Sequence, residues 1–337
     1  MPMNARLALS TFTCLALASA ASTAQTVTVY GRVVTSTNQI DTGGVSKLYE
    51  LRDNASRLGF RGVEDLGGGL QALFGLEMGL SVDTGTPNNP FYRNSYVALR
   101  GGWGTVALGR LDSANPTGSP LYSQVIALTH FAPNDAGATA TSTSMQNARN
   151  RTSNSIGFAS PTWAGANVRA RFYWRGAGTA VEPEDAASSV DLGLNYQTGG
   201  LKAALGFAKD SRRGGLANNE FEDKWQAGLN YQVLPAMDVY LLGGVDRYKN
   251  TATQRRDVQY AVLGTSYTQG QHKVVFNLMQ RDVQTSLTGE RDRKQLSYQY
   301  FLSKRTDLQA FIDNDGIDSS RSNVRVRAIG VGIRHNF

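Results

Sequence analysis

The chain has 337 residues, with 36 glycines, 14 tyrosines, 9 prolines and a single cysteine, and its formal net charge at pH 7 is +7. This length allows two soluble domains or one large barrel, and one cysteine excludes a fold held together by disulfides. The excess of positive charge favours anionic partners.

Residues 1–24 have the pattern of a secretory signal peptide. Arg6 precedes an apolar run at 7–21, and three small residues follow at 22–24. A charged start, an apolar centre and a small-residue end predict cleavage after residue 24, which leaves 25–337 as the mature chain. A buried helix or a membrane anchor is the alternative, but the run is short for a helical span. Export makes nucleic acid an implausible partner.

From residue 25 onward the chain is a series of segments in which apolar and polar residues alternate. In the segment 70–80, the even positions are leucine, alanine, phenylalanine or methionine, and most odd positions are glutamine, glycine or glutamate. A period of two predicts β-strands with one apolar and one polar face. The predicted strands are residues 27–35, 56–63, 70–80, 91–100, 105–110, 153–160, 166–175, 190–197, 201–209, 224–232, 237–247, 258–268, 271–281, 293–302, 306–313 and 323–337.

The connections between these sixteen segments alternate between seven short turns and eight longer loops. An even number of antiparallel strands with both termini on the short-turn side is typical of a transmembrane β-barrel. The last segment, 323–337, needs a partner for its open edge, and pairing with 27–35 closes the wall. The sequence therefore predicts an all-β protein, a 16-stranded antiparallel transmembrane β-barrel. A soluble β-sandwich or a ligand-binding barrel is the alternative, because its strands also alternate.

The connection at 111–150 differs from the others. It has about forty residues, no sustained alternation, and many serine, threonine, alanine, asparagine and glycine residues. A loop of this length is usually functional or disordered. A barrel of sixteen strands has an open aqueous lumen, so we expect this third loop to fold inward and narrow it.

Several motifs follow one another from the first strand to the last. They are Val-Tyr-Gly at 29–31, SRLGFRGVEDLGGG at 56–69, GTVALGR at 104–110 and Arg-His-Asn-Phe at 334–337. With these motifs the chain resembles the general porins of Gram-negative bacteria, and most closely those of β-proteobacteria. The resemblance implies a homotrimer in the outer membrane, in contact with outer-membrane lipid and lipopolysaccharide, that passes small hydrophilic solutes and ions by passive diffusion.

The resemblance also assigns residues to the pore. It implies a basic cluster on the barrel wall opposite the third loop, a constriction loop at 111–150, and an assembly signal at the terminal Phe337. The basic residues that match by motif position are Arg32, Arg57, Arg93 and Arg151. The alternation in 56–63 places Arg57 on the polar, inward face independently of the resemblance.

The charges of the constriction loop depart from the family pattern. Its acidic residues are sparse, with only Asp112 and Asp135, so the basic wall is expected to lack compensation and to concentrate anions. A further row of inward arginines is expected on one strand. These residues are Arg169, Arg171 and Arg175. In the alternative, some arginines pair with Glu77 or Glu64 and contribute little to selectivity.

No enzymatic site can be assembled from the sequence. His130, His272 and His335 have no metal-ligand spacing, and no nucleophile elbow is present. The glycine clusters at 67–69 and 101–104 are predicted turns, because no helix follows either one. The sequence thus predicts neither cofactor nor metal. The alternatives to general diffusion are a substrate-specific outer-membrane channel or, less favoured, an outer-membrane barrel enzyme.

Overall fold

The computed structural model describes residues 26–44, 47–112, 117–130, 149–249, 252–320 and 322–337, so the predicted signal peptide and Asp135 lie outside the described residues. The strands are β1 (Thr26–Asp41), β2 (Leu48–Asp53), β3 (Ser56–Gly67), β4 (Leu70–Ser81), β5 (Thr86–Gly101), β6 (Gly104–Asp112), β7 (Arg151–Ala159), β8 (Ala166–Trp174), β9 (Ala187–Thr198), β10 (Leu201–Arg212), β11 (Phe221–Leu234), β12 (Met237–Tyr248), β13 (Asp257–Gln269), β14 (His272–Asp282), β15 (Glu290–Phe301), β16 (Thr306–Ser319) and β17 (Ser322–Asn336). The helices are α1 (Pro120–Leu128) and a 3₁₀ turn at Glu184–Ala186.

The wall closes between the first and last strands. β17 pairs antiparallel with β1, with Thr35 opposite Ile333 and Asp41 opposite Arg327. Every other neighbouring pair is also antiparallel, so the paired strands form one continuous ring. The expected partner of the last strand is thus confirmed, and no sheet edge is left open at this seam.

β2 and β3 together fill one position of the wall. One half of β1 pairs with β2 and its other half pairs with β3. Asn54 and Ala55 connect β2 to β3 and are not in strand conformation. Ala55 has a positive φ of 67°. The seventeen strands of the described residues therefore occupy sixteen wall positions. The predicted 16-stranded antiparallel β-barrel is confirmed. β2 was not among the predicted strands, because its sequence does not alternate between apolar and polar residues.

The two faces of the wall have opposite character. In β9, the apolar Leu192 and Leu194 are 43% and 44% exposed, whereas the adjacent Asp191 is 3% exposed. The same holds in β10 and β12, where Leu205 and Leu241 are more than half exposed. A soluble protein rarely exposes an apolar surface that continues around the molecule. The outward face thus matches the lipid-facing band of a transmembrane barrel, and the polar face lines the lumen.

The long third connection sends a helix to the polar face. α1 begins after Ser119, whose Oγ accepts a hydrogen bond from the Tyr122 amide at 3.3 Å, and Pro120 occupies the first turn. Both features favour a helix start. The helix packs against β8 to β12. Within the described residues, no helix has the length and apolar character needed to cross a bilayer.

Candidate functional site

Four arginines predicted to form a basic wall come together in the lumen. Arg32, Arg57, Arg93 and Arg151 extend from β1, β3, β5 and β7 and line one recess of about 540 Å³. Arg32 lies directly opposite Arg57 in the strand register. Arg169 of β8 lines the same recess and extends the basic surface to a fifth strand.

Glu77 of β4 partly neutralises this surface. Its Oε1 lies 3.0 Å from Nε of Arg93, and its Oε2 lies 3.6 Å from Nε of Arg57. Tyr30 donates its hydroxyl hydrogen to the same carboxylate at 3.2 Å. Glu64, the other suggested partner, lies on the row of β3 that carries outward apolar residues, since it is opposite Ala72. Only one of the two suggested carboxylates therefore reaches the arginines.

Asp112 is the second carboxylate of the recess. Its Oδ2 accepts a hydrogen bond from Nε of Arg151 at 2.5 Å and lies 3.9 Å from a terminal nitrogen of Arg93. The expectation of an uncompensated basic wall was therefore wrong for Arg57, Arg93 and Arg151. Each of these three side chains has a carboxylate within 4 Å.

Arg32 and Arg169 keep their charge without a carboxylate partner among the described residues. Arg32 donates to the carbonyl oxygens of Ala55 and Asn54 at 3.0 and 3.4 Å. Arg169 donates to Oγ of Ser123 on α1 at 3.0 Å. Among the described residues, five guanidinium groups line the recess with Asp112, and Glu77 pairs with Arg93 and Arg57 from beside it, so the arginines exceed these two carboxylates by three positive charges.

Across the recess, α1 presents no charge. Tyr122, Ser123, Ile126 and Ala127 line this side, and Ile126 is 57% exposed. The helix sequence PLYSQVIAL contains no acidic residue. An ion in the recess therefore lies between a basic wall and a neutral helix face. Such an arrangement has a positive potential, because nothing on the helix offsets the wall.

The buried face of α1 is fixed to the wall by side chains from the polar rows of the strands. Gln226 donates to the carbonyl oxygen of Leu121 at 3.0 Å, and Asn230 donates to that of Leu128 at 2.8 Å. A Cβ atom on Gly228 would lie 2.7 Å from Cδ1 of Leu128, so the Leu128 side chain packs directly on the backbone of β11 at this glycine. These contacts hold the described part of the loop on the inner face of β9 to β12.

The end of α1 is held by a second polar cluster. The carbonyl oxygen of His130 accepts hydrogen bonds from Tyr240 at 2.9 Å and Asn277 at 2.7 Å. Its imidazole lies 3.3 Å from Asp238 and 3.2 Å from Lys273. Burial, and then the nearby Lys273 ammonium, lower the pKa of His130. The described residues contain no group of three or more metal-ligating side chains.

The predicted row of Arg169, Arg171 and Arg175 is divided by the structure. Only Arg169 reaches the recess. Arg171 is 1% exposed and forms an ion pair with Asp191, and a terminal nitrogen of Arg175 lies 3.1 Å from Asp210. The three side chains therefore do not form one row of free cations, because two of them neutralise buried carboxylates of the wall.

Arg149 is the principal residue that sequence reasoning missed. Its two terminal nitrogens donate to the two carboxylate oxygens of Asp210 at 2.7 and 2.6 Å, and one also contacts Ser189 and Tyr173. This pair connects the end of the third loop to β10. Aspartates at inward strand positions, such as Asp210, could have indicated that a cationic partner was needed, because a buried carboxylate requires a cation or several hydrogen-bond donors.

Phe337 lies at the closing seam. Its amide and carbonyl exchange hydrogen bonds with Gly31 of β1, both at 3.1 Å. Its ring covers Gly31, where a Cβ atom would lie 2.5 Å from Cζ. The last residue of the chain is therefore part of the wall.

Comparisons with known proteins agree with this geometry. Residues 9–319 match a family model described as Gram-negative porin. Outer membrane porin protein 32 of Delftia acidovorans is 30% identical over 96% of this chain and 97% of its own length. An outer membrane porin protein of Bordetella pertussis is 27% identical over 84% of this chain and 83% of its own.

A solved structure shows the same likeness in three dimensions. The anion-selective porin from Comamonas acidovorans superposes with a TM-score of 0.73 at 26% identity, covering 93% of this chain and 100% of its own. The barrel, its lipid-facing band and the match across nearly the whole chain place the protein in the outer membrane of a Gram-negative bacterium. The chain belongs to the Gram-negative porin family.

Proposed function

We propose that this porin is a general-diffusion pore that prefers small anions. The observation that supports the preference is that, among the described residues, the five arginines at the recess exceed their two carboxylate partners by three charges and face an uncharged helix surface. In a narrow lumen with low-dielectric walls, this field raises the local concentration of anions and lowers that of cations. Arg32, Arg57, Arg93, Arg151 and Arg169 form the basic side of this constriction, and Asp112 and Glu77 reduce its charge.

Reversal potentials across a planar bilayer under a potassium chloride gradient test the preference. We expect the sign of the potential to correspond to chloride as the more permeant ion, and the preference to weaken at high salt as screening increases. A potential of the opposite sign would refute the proposal. Reversal potentials in a gradient of potassium acetate, in place of potassium chloride, test the same preference with a larger anion.

General diffusion, as opposed to transport of one substrate, is tested separately. Liposome swelling with neutral sugars of increasing size should give a smooth decline to one size limit. A saturable response to one sugar would instead support a substrate-specific channel. We expect passive transport alone, without catalysis or cofactor.

The proposal includes the assembly and processing of the chain. Removal of residues 1–24, insertion of 25–337 into a bilayer containing lipopolysaccharide, and association of three copies are expected, with Phe337 as the assembly signal. Family membership supports the trimer. Conductance that appears in three equal steps per insertion event, together with the N-terminal sequence of the purified protein, tests both points.

A further inference from the structure

We infer that the lumen contains a second site, between the constriction and the short turns, that binds planar aromatic carboxylates through Tyr96, Arg61 and Arg100. The inference rests on the proposed anion pathway, because these anions must pass through the same lumen. The site is a recess of about 500 Å³, and Arg57 lines both this recess and the constriction. This volume is within the range of small-molecule sites.

The position of the recess follows from the strand register. Arg61 is on the same face of β3 as Arg57, four residues closer to the short turn that leads into β4. Arg100 is near the end of β5, beside the short turn into β6. Short turns are on the periplasmic side of such barrels, so an anion leaving the constriction meets this recess next.

Tyr96 supplies a flat apolar surface. It lies opposite Gly75 in the register, and a Cβ atom on that glycine would lie 2.4 Å from Cε1 of Tyr96. The ring therefore lies along the wall and turns one face towards the lumen. It also packs against the buried cluster of Leu73, Ala98 and Leu111. This ring is thus held in place by apolar contacts and presents a surface on which a second planar group can lie.

The neighbouring Tyr30 shows that a planar group is accommodated on this wall. Its ring covers Gly59 in the same way, with a distance of 2.5 Å from Cζ to a Cβ atom built there. The guanidinium carbon of Arg61 lies 5.1 Å from the centre of that ring. This is the range of a cation–π contact, and it sets a planar cation against a ring at the edge of the recess.

Arg61 and Arg100 supply the charge. Both are exposed, and neither forms an ion pair among the described residues. Arg100 donates to Oγ1 of Thr105, at 3.3 Å. The carboxylate that lines the recess is Glu77, and it already binds Arg93 and Arg57. The two guanidinium groups therefore remain available for a carboxylate from the lumen, which arginine binds through two parallel hydrogen bonds.

An anion that carries both a carboxylate and an aromatic ring uses the whole recess. Its carboxylate pairs with Arg61 or Arg100 while its ring lies on Tyr96, and an aromatic pair adds stabilisation beyond the area it buries. An aliphatic carboxylate obtains only the ionic contact. The site therefore discriminates by ring character among anions of equal charge.

Benzoate and cyclohexanecarboxylate are the matched probes, because they have the same charge and similar size but only one is aromatic. Each is added to either side of a bilayer containing single pores, and block of the chloride current is recorded. We expect benzoate to reach half-block at a concentration about two- to tenfold lower than cyclohexanecarboxylate. Equal block by the two acids would overturn the inference.

Variants assign the block to this recess. Tyr96→Leu should remove the preference for benzoate, Tyr96→Phe should retain it, and Arg61→Gln with Arg100→Gln should weaken block by both acids. Tyr231→Leu, on the outward face where Tyr231 is 54% exposed, is the control and should retain the preference. A preference that survives Tyr96→Leu in folded pores would also overturn the inference.

The chloride reversal potential of the same pores is recorded without either acid. A pore that prefers chloride but does not distinguish the two acids would contradict this site while leaving the anion preference standing. A pore that prefers potassium would contradict the proposed function itself. The two failures are therefore distinguishable.

Discussion

Nε of Arg93 lies 3.0 Å from Oε1 of Glu77, and both side chains are almost completely buried in the lumen wall. This carboxylate also reaches Arg57, so one negative charge moderates two arginines of the constriction. The charge of Glu77 therefore sets how much of the basic wall an ion experiences.

Replacing Glu77 by glutamine should increase the preference for anions. The change removes one negative charge and keeps the shape of the side chain. A unit charge at about 4 Å contributes about 1 kcal/mol in water and acts on chloride and potassium with opposite sign, so the chloride-to-potassium permeability ratio should rise by at most about thirtyfold. Reversal potentials measure this ratio. Glu64→Gln, which removes the same charge from the outward row, should leave it unchanged.

Arg32→Gln should have the opposite effect. Arg32 has no carboxylate partner among the described residues, so its whole charge acts on the lumen. We expect the chloride-to-potassium ratio to fall, by a factor no larger than in the Glu77 experiment. Arg213→Gln is the matched control, because Arg213 is exposed and paired with Asp185. A ratio that does not change in Arg32→Gln would exclude Arg32 from the constriction.

Arg171→Leu should destabilise the barrel without a comparable effect on selectivity. Arg171 is 1% exposed and its guanidinium neutralises the buried Asp191. Removal of one partner of a buried pair costs about 3–5 kcal/mol, because the other charge stays buried. Unfolding in denaturant, followed by the change in electrophoretic mobility of the folded barrel, measures this loss. The double variant Arg171→Leu with Asp191→Leu should recover most of the stability.

Arg149→Ala should release the end of the third loop from the wall. The two hydrogen bonds to Asp210, at 2.7 and 2.6 Å, connect this end to β10. We expect a noisier open-pore current and faster entry of large sugars in the swelling experiment. Sugar entry and current noise identical to those of the parent pore would show that the remaining contacts of α1 are sufficient.

Acid should loosen the other end of α1. The pKa of His130 is lowered in the folded protein by burial and by Lys273, while Asp238 opposes this shift. A lowered folded pKa means that the stabilising contribution is present above the unfolded value of about 6.5 and is lost as the pH falls through the folded value. Proteolysis of the loop should therefore become faster below about pH 6.5. His130→Gln should remove this pH dependence, and unchanged proteolysis across this range would contradict the assignment.

The strands could be predicted because a half-buried wall imposes a period of two on the sequence. Leu192 and Leu194 are outside and Asp191 is inside, as the alternation predicted. β2 escaped prediction because its row of residues 48–53 lacks that contrast. Its place in the wall comes from pairing with β1, a contact that no local pattern encodes.

The arginines of the constriction could be nominated by motif position, but their partners could not. Glu77 is on β4, and whether it meets Arg57 or Arg93 depends on strand register and side-chain conformation. Arg149 was missed because it lies in a loop without periodicity. Its role depends on Asp210, which is 61 positions away in sequence.

The exchange of hydrogen bonds between Gly31 and Phe337 joins residues that are separated by almost the whole chain. Contacts of such sequence separation form late, because the entropy of closing so large a loop must be overcome first. Until they form, the sheet has two unpaired edges, one on β1 and the other on the last strand that has already paired, β16 or β17. Either edge can pair with another chain. We therefore expect the pairing of β1 with β17 to be the slow, vulnerable step in the biogenesis of this protein, and a chain shortened by its last strand to aggregate before it can insert.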